Sequence, residues 1–148
     1  MNNIGFGDNN FNFAVYIANK PNMFEYQNMG GISTLVKGEI NAINQACGNG
    51  WRKVFNVYAK LLYALDKEAF DFSSCASTWQ GYRDNYLLQM NSKTALLFSA
   101  PQFSPHKGVL HIICGKGHAN ALISDSKFDT DLLWLDDEFA IDKKNKLI

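Results

Sequence analysis

Leu110-His111-Ile112-Ile113-Cys114-Gly115-Lys116-Gly117-His118-Ala119-Asn120-Ala121-Leu122-Ile123 reads as strand, turn and helix in succession. Val109 to Cys114 is a short apolar run bounded by Gly108 and Gly115, which suits a buried strand. Gly115-Lys116-Gly117 lets the backbone turn tightly, and His118 to Ser124 then predicts a short helix. A continuous apolar strand that feeds a helix belongs to a sheet covered on both faces, and such sheets are largely parallel.

Working outward, two further runs have the same texture. Thr94 to Ser99 is a strand broken by Pro101, and Phe13 to Ala18 is a strand that ends at Asn19-Lys20-Pro21. Leu132 to Leu135 predicts a fourth strand. Leu147-Ile148 begins another, either as a short edge strand or as the start of a segment that relatives continue. Between the strands lie helical patterns. Ile32, Leu35, Val36, Ile40, Ile43 and Cys47 form one stripe, with Ser33 or Thr34 as cap and Gly48-Asn49-Gly50 as stop. Trp51, Val54, Phe55, Tyr58, Leu61, Leu62 and Leu65 mark a second helix, whose other face carries Arg52, Lys53, Asn56 and Lys60. Trp79, Tyr82, Tyr86 and Met90 predict a third over Thr78 to Met90. Residues 1–12, rich in Asn and Gly, are expected to fray. The expectation is a single α/β domain over 1–148, a three-layer α/β/α sandwich with a mostly parallel central sheet of four to five strands.

Bulk properties restrict the partners. The 148 residues are 47% hydrophobic and 14% aromatic, enough to build a core without staples. Fourteen basic residues balance fourteen acidic ones, so no global field draws the chain to nucleic acid or anionic lipid. No apolar run approaches the ~18–20 residues of a membrane span, and Met1-Asn2-Asn3-Ile4-Gly5 lacks a signal peptide's basic and apolar regions. Cys47, Cys75 and Cys114 form no Cys-x-x-Cys pair, and this favours buried thiols in a reducing, cytoplasmic compartment.

Parallel sheets bind ligands beyond the carboxyl ends of their strands. That rule selects Asn19 and Lys20, then Ser99, Gln102, Ser104 and His106, then Gly115, Lys116, Gly117, His118 and Asn120, and finally Asp136-Asp137-Glu138. The third group is the best anion cradle, because two glycines, a helix N-terminus and a lysine coincide. Its bland counterpart is a βα turn that needs glycine for geometry alone. The spacing is not that of a phosphate loop, and Asn120 stands where a dinucleotide fingerprint needs glycine. Cys114 could be a thiolate beside Lys116 and His118, yet a cysteine ending an apolar strand is more often simply buried. His106, His111 and His118 match no compact zinc spacing, and His111 reads as a hydrogen-bonded strand residue. The acidic trio suits either Mg²⁺ or a solvated turn. No metal or other cofactor is expected.

Two resemblances arise on these residues. Ala14 to Pro21, Leu97 to Pro101 and Trp134 to Ile141 resemble segments of a bacterial family of unknown function, which implies no activity. The order of elements is similar to the uracil-DNA glycosylase-like fold, in which a late strand ends in a glycine-containing turn like Cys114-Gly115-Lys116-Gly117. This chain departs from that family at Asn19-Lys20-Pro21, which lacks the water-activating Asp-Pro-Tyr pattern. It also has no His-Pro-Ser loop after its last strand, and Ser104-Pro105-His106 differs in order and place.

Three functions therefore compete. The first is a domain binding a nucleotide or other anionic small molecule at the strand ends. The second is a non-catalytic interaction module or homo-oligomer subunit, suggested by Trp51, Trp79, Tyr82, Tyr86 and Trp134. The third is a nucleic-acid-acting protein, supported only by the basic face of the Trp51–Leu65 helix.

Overall fold

A computed structural model describes residues 3–103, 108–125, 128 and 130–148. Its elements in chain order are β1 (Gly5–Gly7), β2 (Phe13–Tyr16), β3 (Ile32–Ser33), α1 (Glu39–Cys47), α2 (Asn49–Ala64), α3 (Trp79–Asn85), β4 (Thr94–Leu97), β5 (Leu110–Ile113), α4 (Lys116–Ser124), β6 (Leu133–Trp134) and β7 (Ala140–Ile141). Five strands form one sheet in the order β3-β1-β4-β2-β5. Among the described residues the pairings β1–β3, β2–β4 and β2–β5 are parallel, and β1–β4 is antiparallel. The mixed α/β class and the mostly parallel sheet thus match the sequence reading.

Period-two alternation divides the strands between two clusters. Phe6, Phe13, Val15 and Leu96 face a large core built with Ile40, Ile43, Phe55, Tyr58, Leu62 and Tyr82 from α1, α2 and α3. Ala14, Tyr16, Ala95 and Leu97 face the other way, toward Phe11 and Val109. The Tyr58 hydroxyl, buried under the sheet, donates to the Ala95 carbonyl at 2.9 Å. Burial of a hydroxyl demands such a partner. Three helices cover one face, whereas α4 supplies no fully buried residue. The expected three-layer sandwich is therefore shown only as a mixed α/β fold, with three helices over one face of the sheet and α4 beside β5.

Several expectations are corrected. Residues 1–12 do not all fray, because Gly5–Gly7 is a fully buried strand between β3 and β4. A Cβ on Gly5 or Gly7 would collide with the Leu96 or Thr94 carbonyl, so only glycine permits this approach. The first helix begins at Glu39 and not near Ser33, since Ile32–Ser33 joins the sheet and Gly38 turns left-handed at φ 91°. Glu39 Oε1 then accepts the Val36 N–H at 3.0 Å and closes the entry turn. The third helix, capped by Thr78 Oγ1 accepting the Gly81 N–H at 3.0 Å, stops at Asn85. Beyond it, Leu88 and Asn91 adopt φ of 61° and 63°, which turns Leu87 and Leu88 into the core.

The fourth strand is also elsewhere. β6 pairs antiparallel with β7 in a separate hairpin. Asp136 Oδ1 accepts the Glu138 and Phe139 amides at 2.7 and 2.8 Å, and this folds the chain back before it can join the sheet. By contrast, Leu147 lies parallel beside His111, and Ile113 N donates to the Ile148 carbonyl at 2.9 Å. That segment pairs along the β5 edge through an isolated bridge. Among the described residues no helix is long and apolar enough to cross a membrane.

Candidate functional site

β2, β4 and β5 run in one direction, with Tyr16 opposite both Leu97 and Ile113. Their carboxyl ends share a rim, and the segments after Tyr16, Leu97 and Ile113 leave from it together. Among the described residues, two of the predicted side chains are engaged locally. Ser99 Oγ accepts the Ile4 N–H at 3.0 Å, a structural task, and Lys20 Nζ donates to the Gln27 carbonyl at 3.0 Å within its own loop. Asn19 is exposed and Gln102 half-buried. Ser104 and His106 lie outside the described residues.

At the β5 end the chain forms a cavity of about 300 Å³. Ile112, Ile113, Leu147 and Ile148 make its sheet wall, Ala119, Asn120 and Ile123 of α4 a second wall, and Trp134, Phe139 and Ala140 of the hairpin a third. Of the predicted residues, Gly115, Lys116 and Asn120 line it; Asn19, Lys20, Ser99, Gln102, Gly117 and His118 do not. Largely apolar walls with a few polar groups are the usual make-up of a small-molecule pocket.

The turn at its mouth is held from both sides. Cys114 N donates to the Tyr16 carbonyl at 2.9 Å, continuing the β2 ladder one residue past β5. Gly115 then takes φ 100° and serves as N-cap of α4, with no side chain to cap the helix. The first amides of α4 therefore lack a side-chain acceptor, and the partial positive charge of the helix end faces outward. Lys116 Nζ lies 5.0 Å over the Trp134 ring and donates to the Asp137 carbonyl at 2.7 Å. An ammonium has three donors, so this contact leaves capacity for a ligand. Glu138 supplies the opposite charge along the same lining.

The other chemical candidates take different roles. His111 is buried and shares a 2.6 Å hydrogen bond with the Tyr16 hydroxyl through Nδ1, as expected of a strand histidine. Burial raises the Tyr16 phenol above its ordinary value, so it stays protonated. Desolvation pushes the Cys114 thiol up, although the residue as a whole is exposed. That is the opposite of what a nucleophilic thiolate requires. Desolvation lowers His118, whose Nε2 is buried with no hydrogen-bond partner among the described residues. No three of the described His, Cys, Asp or Glu residues cluster to hold a metal ion.

Sequence reasoning missed Ile123, Phe139, Leu147 and Ile148 as lining residues. Two short apolar pieces around Asp136-Asp137-Glu138 were the available signal, since an Asp opening a tight turn marks a hairpin.

No curated protein and no solved structure matches the chain. The likeness to the uracil-DNA glycosylase-like fold gains no support from these comparisons. A family of unknown function (DUF6942) matches residues 4–148, nearly the whole length, and the chain belongs to that family.

Proposed function

We propose that the protein binds a small, mostly apolar molecule with one anionic group in the cavity between β5, α4 and the hairpin. The cavity itself carries this reading: about 300 Å³ of largely apolar walls opening beside Lys116 and the uncapped N-terminus of α4. The apolar body displaces water from Ile113, Ile123 and Phe139, while the anion meets the Lys116 ammonium and the first amides of α4. A molecule seated there fills the space between α4 and β5, and so completes the third layer of an α/β/α sandwich. The volume lies near the lower end of ligand pockets, about 300–1,000 Å³, which favours fragment-sized acids over dinucleotides. Cys47 is half-buried and Cys75 and Cys114 are exposed, so the thiols are not buried as expected; that all three are unpaired supports a cytoplasmic location.

A thermal-shift series with benzoate, hexanoate and their uncharged alcohols tests the reading. The acids are expected to stabilise the wild type more than the alcohols, and Lys116→Ala to erase that difference. Equal stabilisation by acids and alcohols in the wild type, or none by either, overturns it.

A second reading rests on a different observation. Leu133, Leu135 and Phe139 of the hairpin are 58%, 59% and 54% exposed, an apolar surface suited to self-association. Light scattering across a concentration series separates the two, since a strictly monomeric protein removes the second and leaves the first.

A further inference from the structure

A separate depression of about 290 Å³ opens where α1, α2 and α3 meet, and it shares no residue with the cavity. It is lined by Asn41, Asn44, Arg52, Arg83 and Asp84. We propose that it is a second binding site, for a singly charged oxyanion that carries an O–H of its own, such as a hydroxycarboxylate or a protonated phosphate.

Arg83 is pre-set for the task. Its Nε and Nη2 donate to Asp84 at 2.8 and 3.2 Å, its Nη1 donates to Asn56 Oδ1 at 2.8 Å, and its guanidinium carbon lies 5.4 Å from the Trp79 ring centre. Those contacts hold the plane of the fork and commit three of a guanidinium's five N–H groups. Two remain for a ligand, in a geometry suited to paired oxygens. Arg52, on the first turn of α2, lines the same depression and has no ion-pair partner among the described residues.

The charge on the lining selects the ligand. Two guanidinium groups and one carboxylate leave a single net positive charge, which a monoanion neutralises. Asn44 adds a second requirement. It is only 7% exposed, and its Oδ1 is buried with no hydrogen-bond partner among the described residues. A buried acceptor left unpaired is costly, and a hydroxyl on a bound molecule that displaces the atoms covering Oδ1 relieves it. A bare carboxylate satisfies the arginines and leaves Asn44 wanting; an oxyanion with a hydroxyl satisfies both.

The test is an NMR titration of the full chain with glycolate, acetate and inorganic phosphate held below its second ionisation, read at the Arg52 and Arg83 Nε–H and the Asn44 amide. Glycolate and acetate differ by one hydroxyl. Saturable glycolate or phosphate binding is expected, with acetate weaker by about tenfold or more. Arg52→Gln, at an exposed position, is expected to weaken the binding by about tenfold, and Lys53→Gln to leave it unchanged. The stronger of the two favoured ligands identifies the carboxylate or the phosphoryl source. Equal binding of acetate and glycolate overturns the proposal, as does a non-saturating response or indifference to Arg52→Gln.

Discussion

Lys116 reaches from the first turn of α4 to the hairpin, where its ammonium lies 5.0 Å from the Trp134 ring centre and donates to the Asp137 carbonyl at 2.7 Å. One side chain thus ties two walls of the cavity together at its mouth. The residue to which the proposal gives a ligand's anion also holds the hairpin wall against α4.

Removing that tie should loosen the hairpin more than the fold. Lys116 is exposed, so the contact contributes on the order of 0.5–1 kcal/mol. Lys116→Ala is expected to lower Tm by about 2–4 °C at most. Hydrogen exchange at Leu133 to Ile141 should accelerate while β2 and β4 remain protected. Uniform acceleration across the sheet would show that the tie supports the whole fold.

The Tyr16–His111 pair makes a stability prediction within the sheet. Both side chains are buried, at 2.6 Å and with stacked rings 5.7 Å apart. Tyr16→Phe retains the ring and strips the hydroxyl, leaving Nδ1 without its phenol partner. The expected cost is about 1–3 kcal/mol in urea unfolding, without a change in m-value. A neutral effect would mean that Nδ1 readily finds another partner.

Gly7 should tolerate nothing larger. Its φ is 129°, and an added Cβ would come within 2.7 Å of the Ala95 Cα. Gly7→Ala is expected to cost about 3 kcal/mol or more, from backbone strain plus the clash. Gly30→Ala, with open space around it, serves as the near-neutral control. Matching Tm values for the two variants would refute the placement of β1 between β3 and β4.

Asp142 predicts a pH dependence. Burial alone would raise its carboxyl, but donation from Thr130, from the Asn145 side chain and amide, and from the Asp131 amide outweighs burial and lowers it. A carboxyl held lower in the folded than in the unfolded chain binds its proton later on acidification. Its contribution is therefore complete above the ordinary carboxylate range, about 4, and fades as pH falls through the lower folded value. Asp142→Asn should flatten the acid limb of a stability–pH curve measured from about pH 5 downward. An acid limb of unchanged slope in the variant would assign the effect to other groups.

The parts legible in the sequence were those decided by local pattern. β2, β4 and β5 appear as apolar runs between turn residues, and α2 as a clear stripe from Phe55 to Leu62. What stayed hidden depends on contacts far along the chain. Gly5-Phe6-Gly7 looks like a tail until β4 supplies its partner, because glycine weakens any local strand signal. Ile32 and Leu35 continue the α1 stripe in number but belong to the sheet side of Gly38. At the candidate site, Gly115, Lys116 and Asn120 were readable from the strand–turn–helix unit. The facing wall was not, since Phe139 and Ile148 reach the cavity only through hairpin and edge pairing.

The most direct test of the cavity as a binding site is an NMR titration with hexanoate on the wild type and on Ala119→Phe, which fills the space from the α4 wall. The account predicts saturable shifts confined to Ile112, Ile123, Leu147 and the Trp134 indole, absent from a folded Ala119→Phe variant. Shifts spread over the surface, or identical in both proteins, would contradict it.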